Sequence, residues 1–155
     1  MKYLMIFVLF MVGCGSTPQV PVVSTEGKPV RCDITPTKPN GVDFTGESVF
    51  LDTLSLGTAP PGMPFSAIQG AVDNFSMRCE TYVYFSTPGV YEFKLTADDS
   101  ASLYVDQQLV VSGSGSKTLT IDSRSVGVHT LVVLYTQTDG SKTLNVEMRG
   151  PGSKL

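Results

Sequence analysis

The chain contains no tryptophan, a single histidine (His129) and three cysteines (Cys14, Cys32 and Cys79). A lone histidine removes most catalytic and metal-binding arrangements, which draw on several imidazoles or on imidazole with thiolate. No Cys-x-x-Cys or His-x-x-x-His spacing occurs, so no compact metal centre of that kind can be drawn. His129 has no Cys, Ser or carboxylate partner at a motif spacing and reads as a structural histidine. No Ser-His-Asp arrangement and no phosphate-binding glycine loop are found. Widely spaced carboxylates exist, but nothing selects a pair for glycoside hydrolysis. The chain is therefore not expected to be an enzyme. Basic blocks are missing too. With a formal net charge of −3, the chain lacks the electrostatic footprint of a nucleic-acid binder. No amphipathic helical period and no internal repeat is visible.

What is present begins at the N-terminus. Lys2 precedes an uninterrupted apolar run from Leu4 to Val12, and Gly13 supplies a small residue before a cut. Residues 1–13 read as a secretory signal, too short to span a bilayer as a stable helix. Met11-Val12-Gly13-Cys14 resembles a bacterial lipobox, although Leu is more usual than Met at its first position. The resemblance implies that Cys14 is acylated, with palmitate-type chains, and becomes the mature N-terminus. A lipid would then hold the protein to the membrane instead of a spanning helix. The other reading is an ordinary secretory signal cut near a cysteine. Gly15, not Asp, follows Cys14, which resembles the outer-membrane address of enterobacterial lipoproteins; the side of that membrane is left open. Loss of Lys2 with the leader makes the mature chain one unit more negative.

Residues 14–31 carry Pro18, Pro21 and Pro29 without apolar periodicity. They read as a flexible tether with a reach of about 50 Å when extended. Residues 32–155 form one domain by length. Export into an oxidising compartment makes a Cys32–Cys79 disulfide the default, with two buried free thiols as the alternative. The bridge would close a loop of about 48 residues, worth about 4 kcal/mol by chain entropy.

Within the domain, Val49-Phe50-Leu51 reads as a short buried strand, and the prolines between Pro60 and Pro64 demand a loop. The second half alternates clearly. Val83 and Phe85 interleave with Tyr82 and Tyr84. Tyr91, Phe93 and Leu95 share one face opposite Glu92 and Lys94. Leu103 and Val105 suggest a new strand, with a turn at Gln107-Gln108. Leu109–Val111 and then Leu119 with Ile121 suggest two more. Thr130 to Tyr135 is nearly all apolar and reads as a strand covered on both faces. Asp139-Gly140 signals a hairpin, and Leu144, Val146 and Met148 alternate with polar residues. The fold class expected is all-β, an antiparallel sandwich or barrel.

The run from Gly89 to Asp106, with its Gly-Val-Tyr-Glu-Phe strand and its Asp98-Asp99 pair, resembles the signature of protective-antigen-type domains, the PA-fourteen family. Phe75-Ser76-Met77-Arg78, Gly127-Val128-His129-Thr130-Leu131 and Gly150-Pro151-Gly152 follow in that family's order. Together they cover about residues 75–152. There are departures: Ser100 stands where most members have Gly, as in the flocculin branch. Gln107-Gln108 replaces the usual Asn/Asp-Gly turn. Met148-Arg149 replaces an aromatic before the closing Gly-Pro-Gly.

In the flocculin-like lectin members an Asp-Asp pair, joined by a cis peptide bond, binds a Ca²⁺ that in turn binds sugar hydroxyls. The resemblance thus implies Asp98 and Asp99 as Ca²⁺ and ligand-binding residues. The family's further Asn ligand is missing from 136–140, where Gln137 or Asp139 offers a substitute oxygen. A purely structural pair, capping a turn, is the competing account. Tyr82, Tyr84, Tyr91 and Tyr104 read as core or sheet-face residues ahead of a sugar-stacking platform. The expected function is an outer-membrane lipoprotein displaying a binding domain for a glycan or a protein. The alternative is a non-catalytic accessory subunit of an envelope, secretion or pilus complex. Replacing Cys14 by Ser is expected to move the protein from the membrane fraction to the soluble fraction; persistence in membranes would contradict lipid anchoring.

Overall fold

The computed structural model describes residues 20–21, 29–36, 47–68 and 73–151. The leader and Cys14 lie outside the described residues. Nine strands occur in chain order: β1 (Val20–Pro21), β2 (Val30–Pro36), β3 (Glu47–Leu51), β4 (Gly57–Ala59), β5 (Phe75–Phe85), β6 (Gly89–Val105), β7 (Gln108–Ser123), β8 (Gly127–Gln137) and β9 (Lys142–Arg149). All pairings are antiparallel, in the path β1-β9-β6-β8-β5-β2-β3, with β4 on β9 and β7 on β6. Among the described residues there is no helix. Most of the tether expected over 14–31 also lies outside the described residues. Val20–Pro21 pair with Met148 and Glu147, and β2 already begins at Val30.

The sheet curls on itself because one strand changes partner. The first half of β6, through Ala97, pairs with β9; from Ser100 onward it pairs with β8. β7 follows β6 along its other edge throughout, so β8 and β9 share a single edge in succession. Over this switch β6 runs from Ala97 to Ala101 while β7 runs only from Gly115 to Gly113. The surplus on β6 is a bulge, which bends a strand and raises its twist. Gly115, at φ 75, takes up the bend on β7 in a backbone region closed to most side chains. The two halves of the sheet then face each other across one core. Tyr91, Phe93, Leu95 and Val146 come from one half, and Cys79, Leu103, Leu131 and Val133 from the other.

Alternation fixed these faces. In β5 the inward positions Phe75, Met77, Cys79, Thr81, Val83 and Phe85 are all buried. At the start of β6, Gly89 lies against the ring of Pro151. A Cβ on Gly89 would lie 2.8 Å from the Pro151 ring, so only glycine lets the chain end pack there. Cys32 and Cys79 are register partners on β2 and β5 and form a disulfide.

Five expectations change. Leu103 and Val105 do not begin a new strand: β6 runs unbroken from Gly89 through Asp98-Asp99 to Val105. Leu109–Val111, Leu119 and Ile121 belong to one long edge strand, β7, whose mostly polar, exposed sequence hid its length. The hairpin turn is Asp106-Gln107, both at positive φ (47° and 68°), not Gln107-Gln108. β8 is covered on one face only. Leu131, Val133 and Tyr135 are buried, but Val128 and Leu134 stay 46% and 40% exposed. Val49–Leu51 likewise forms an edge strand in which Phe50 faces solvent.

The disulfide closes its loop between directly paired strands, so its removal acts chiefly by freeing the unfolded chain. The Cys32→Ala/Cys79→Ala double variant is expected to lose about 4 kcal/mol in denaturant melts. The wild type under reductant should lose a similar amount.

Candidate functional site

The partner switch in β6 creates a fork. β8 and β9 leave β6 on either side of Asp98-Asp99, and the loop joining them, residues 138–141, crosses at that point. Neither aspartate has a ladder partner. Asp99 sits at φ 62, and its N–H donates to Asp98 Oδ1 at 3.0 Å. Ser141 Oγ donates to Asp98 Oδ2 at 2.8 Å. Thr138 gives Asp99 Oδ2 both its backbone N–H, at 2.7 Å, and its hydroxyl, at 2.8 Å. Hydrogen-bond donors from one loop thus spread the charge of two adjacent carboxylates, which would otherwise repel. Every peptide bond among the described residues is trans, including Asp98–Asp99.

The expected ligands divide. Asp98, Asp99 and the 138–141 loop come together. Asp139 lies in that loop, exposed. Gln137 does not join them, because it is fully buried. Its Oε1 accepts from the Tyr135 hydroxyl, and its Nε2 donates to the carbonyls of Asp139 (3.0 Å) and Ser141 (3.2 Å). Inward parity on β8 dictates this: Gln137 follows Leu131, Val133 and Tyr135 on the core face. It shapes the loop from beneath. Burial pushes the Tyr135 hydroxyl far above its usual pKa, and the charges of Asp99 and Asp98 add to the effect, so it remains a donor.

One wall beside this tip is pinned by a buried cation. Lys142 is 0% exposed; its Nζ donates to Met63 O at 2.7 Å and lies 3.3 Å from Asp73 Oδ1, an ion pair without hydrogen-bond geometry. The pin holds the 60–68 loop down, and Phe65 from that loop packs against Tyr135.

The donors at the tip are hard oxygens, two carboxylates and two hydroxyls, from Asp98, Asp99, Thr138 and Ser141. That chemistry suits a cation such as Ca²⁺. No group of three or more His, Cys, Asp or Glu side chains converges among the described residues. Asp98 and Asp99 are the acidic pair at this tip, and Gln137, buried beneath the loop, does not face it.

The family model described as the PA14 domain matches residues 62–151. The chain belongs to the PA14 domain family. No curated protein matches the sequence. Among solved structures, the A domain of epithelial adhesin 9 from Candida glabrata, in complex with Galβ1-3GlcNAc, is similar at 12% identity and TM-score 0.64, over 89% of this chain and 90% of that one. The PA14 sugar-binding domain from an RTX adhesin is similar at 13% identity and TM-score 0.64, over 82% of this chain and 92% of that one. An anti-sigma factor domain-containing protein from Clostridium clariflavum gives 21% and 0.62, over 85% of this chain and 46% of that one. At such identities the likeness establishes the fold.

The opposite end of this PA14 domain holds a cluster that linear spacing concealed. His129, expected to lack such partners, has two. Its Nδ1 lies 2.6 Å from Asp106 Oδ2, and its Nε2 lies 3.4 Å from Ser125 Oγ. Asp106 comes from the β6–β7 turn and Ser125 from the β7–β8 connection, so only the pairing of β6 with β8 unites them. Asp106 Oδ1 also accepts the Thr130 N–H at 2.9 Å, and the Asp106 N–H donates to Thr130 O. This double tie explains how a non-glycine residue holds a left-handed turn. Phe85 stacks on His129 on one side and on Tyr91 on the other. Burial pushes the Asp106 carboxyl up, but the hydrogen bonds from His129 and Thr130 outweigh it and leave the pKa below the ordinary aspartate value.

A carboxyl depressed in the folded state contributes stability above its unfolded pKa and loses it as pH falls through the folded value. Asp106→Asn is therefore expected to flatten the acid limb of the stability curve below about pH 4. Parallel denaturant melts of both proteins at pH 7 and pH 3 test this: an unchanged difference would show that Asp106 carries no such linkage.

Proposed function

We propose that this protein is a glycan-binding module of the PA14 family, held at the outer membrane by lipid on Cys14, and that the β6 fork is its recognition tip. The observation that carries the reading is the pair of carboxylates expelled from the ladder at Asp98-Asp99 and presented beside the 138–141 loop. Similar domains bear sugar in their names or carry it bound: the epithelial adhesin 9 domain with Galβ1-3GlcNAc and the sugar-binding domain of the RTX adhesin. Asp98 and Asp99 would hold a Ca²⁺ at the tip, and the ion would supply open coordination positions for vicinal sugar hydroxyls. The protein's own part is to fix the two carboxylates, through Thr138 and Ser141, and to shape the loop through Gln137.

A second reading, an accessory subunit of an envelope complex, draws on a different surface. Val128 and Leu134 on β8, Tyr84 on β5 and Phe50 on β3 are exposed apolar groups on the sheet's outer side. Assembly would bury them.

Calcium titration during thermal melting, followed by glycan binding with and without chelator, separates the readings. Ca²⁺ should raise the melting temperature of the wild type with the logarithm of its concentration once that exceeds the dissociation constant, and should leave Asp98→Asn/Asp99→Asn unmoved. If both proteins melt identically at every Ca²⁺ concentration and neither retains any glycan, the tip is structural and the accessory reading stands.

A further inference from the structure

The end of the domain remote from the acidic tip carries chemistry that glycan binding does not use. His129 and Thr138 are nine residues apart on β8 and the loop after it, about 30 Å at strand rise. Three side chains there stand in the order nucleophile, base and orienting acid. Ser125 Oγ meets His129 Nε2 at 3.4 Å, and His129 Nδ1 meets Asp106 Oδ2 at 2.6 Å. The atoms are the ones general-base activation of a serine requires: the imidazole nitrogen nearer the hydroxyl is the one not held by the carboxylate. A carboxylate at 2.6 Å selects the tautomer with the proton on Nδ1, leaving Nε2 free to accept from Ser125.

The surroundings fit the same division of labour. Ser125 is exposed, whereas His129 is 8% exposed and backed by the ring of Phe85. Asp106 is held by the Thr130 N–H, so its direction is fixed by the backbone of β8. Ser123 Oγ donates to the Ser125 carbonyl at 3.1 Å and orders the short connection that carries the nucleophile. A cavity of about 290 Å³ opens beside the three residues, with Val110 and Ile121 among its apolar walls and Arg124 and Asp122 among its charged ones. That volume admits a short acyl group and the start of an alcohol.

We propose that Ser125, His129 and Asp106 form a hydrolytic centre for short acyl esters. Ser125 Oγ attacks the ester carbonyl while its proton passes to His129 Nε2. The tetrahedral intermediate collapses with cleavage of the acyl–oxygen bond, and His129 returns the proton to the departing alkoxide, releasing an alcohol. Water, deprotonated by His129, then attacks the Ser125 acyl ester. Its collapse releases the carboxylic acid and restores the serine hydroxyl. Arg124 supplies positive charge for the developing oxyanion. Asp106 touches no substrate; it is a positioning residue that stabilises the imidazolium between steps.

The test treats the full-length protein with a fluorophosphonate probe, locates the adduct by peptide mass spectrometry, and follows p-nitrophenyl acetate hydrolysis. The expected result is an adduct on Ser125 and turnover that Ser125→Ala abolishes. Because the Ser125 side chain is exposed, this variant should melt with the wild type. His129→Gln should slow labelling by at least about 100-fold. Asp106→Asn, which keeps an oxygen for the Thr130 N–H, should lower the maximal inactivation rate without weakening probe binding. Absence of an adduct on Ser125, or ester hydrolysis undiminished in Ser125→Ala, overturns the proposal. Labelling in His129→Gln at the wild-type rate does so as well, and leaves the cluster as a clamp on the hairpin.

Discussion

A ladder of hydrogen bonds that must change partner is the constraint on which this protein is built. β6 cannot pair with β9 and β8 at the same residues along one edge, so it pairs with them in turn. The residues between the two ladders lose their sheet partners. Unpaired backbone and side-chain polar groups must then be satisfied locally. Here the satisfaction comes from the aspartates themselves and from the one loop forced to pass over them, through Asp99 N–H, Thr138 and Ser141. Curling of the sheet, closure of the core and presentation of two carboxylates are thus one event. A substitution that restored regular pairing would flatten the sheet and erase the tip together.

β8 links the two polar ends of the domain. Its inward residues run from His129 through Leu131, Val133 and Tyr135 to Gln137, every second position, with polar groups only at the extremes. The apolar middle supplies cohesion. The polar ends are tolerated because each finds partners: Asp106 and Ser125 at one end, loop carbonyls and the Tyr135 hydroxyl at the other. Buried polar groups cost little when paired and much when orphaned. Each end is therefore specified by its hydrogen bonds more than by its packing. The same logic holds for Lys142, whose burial is offset by Met63 O and Asp73 and which ties an otherwise irregular loop to the sheet.

Much of the fold was legible in the chain. Alternation exposed β5, the first half of β6 and β9, because one face of each is core and period two survives in sequence. The Gly89 to Asp106 run and its companion motifs announced the family. β7 was legible only in fragments: an edge strand rich in Ser, Gly and Thr buries few side chains and so leaves little pattern. β8 misled in the other direction, since an apolar run does not reveal that one of its faces stays open. Asp98 and Asp99 were legible as an adjacent acidic pair. Gln137 was misplaced because its composition as an oxygen donor was visible while its parity on β8 was not.

Sequence alone determined the all-β class, the family, the inward faces of the regular strands and the acidic pair, since these depend on local period and contiguous motif. Tertiary structure decided that β6 runs unbroken through that pair and that Gln137 turns inward. It also decided that His129 lies between an aspartate 23 residues before it and a serine four residues before it. Those facts depend on which strands share an edge and in which register, and hydrogen bonds between segments distant in the chain leave no local period to read.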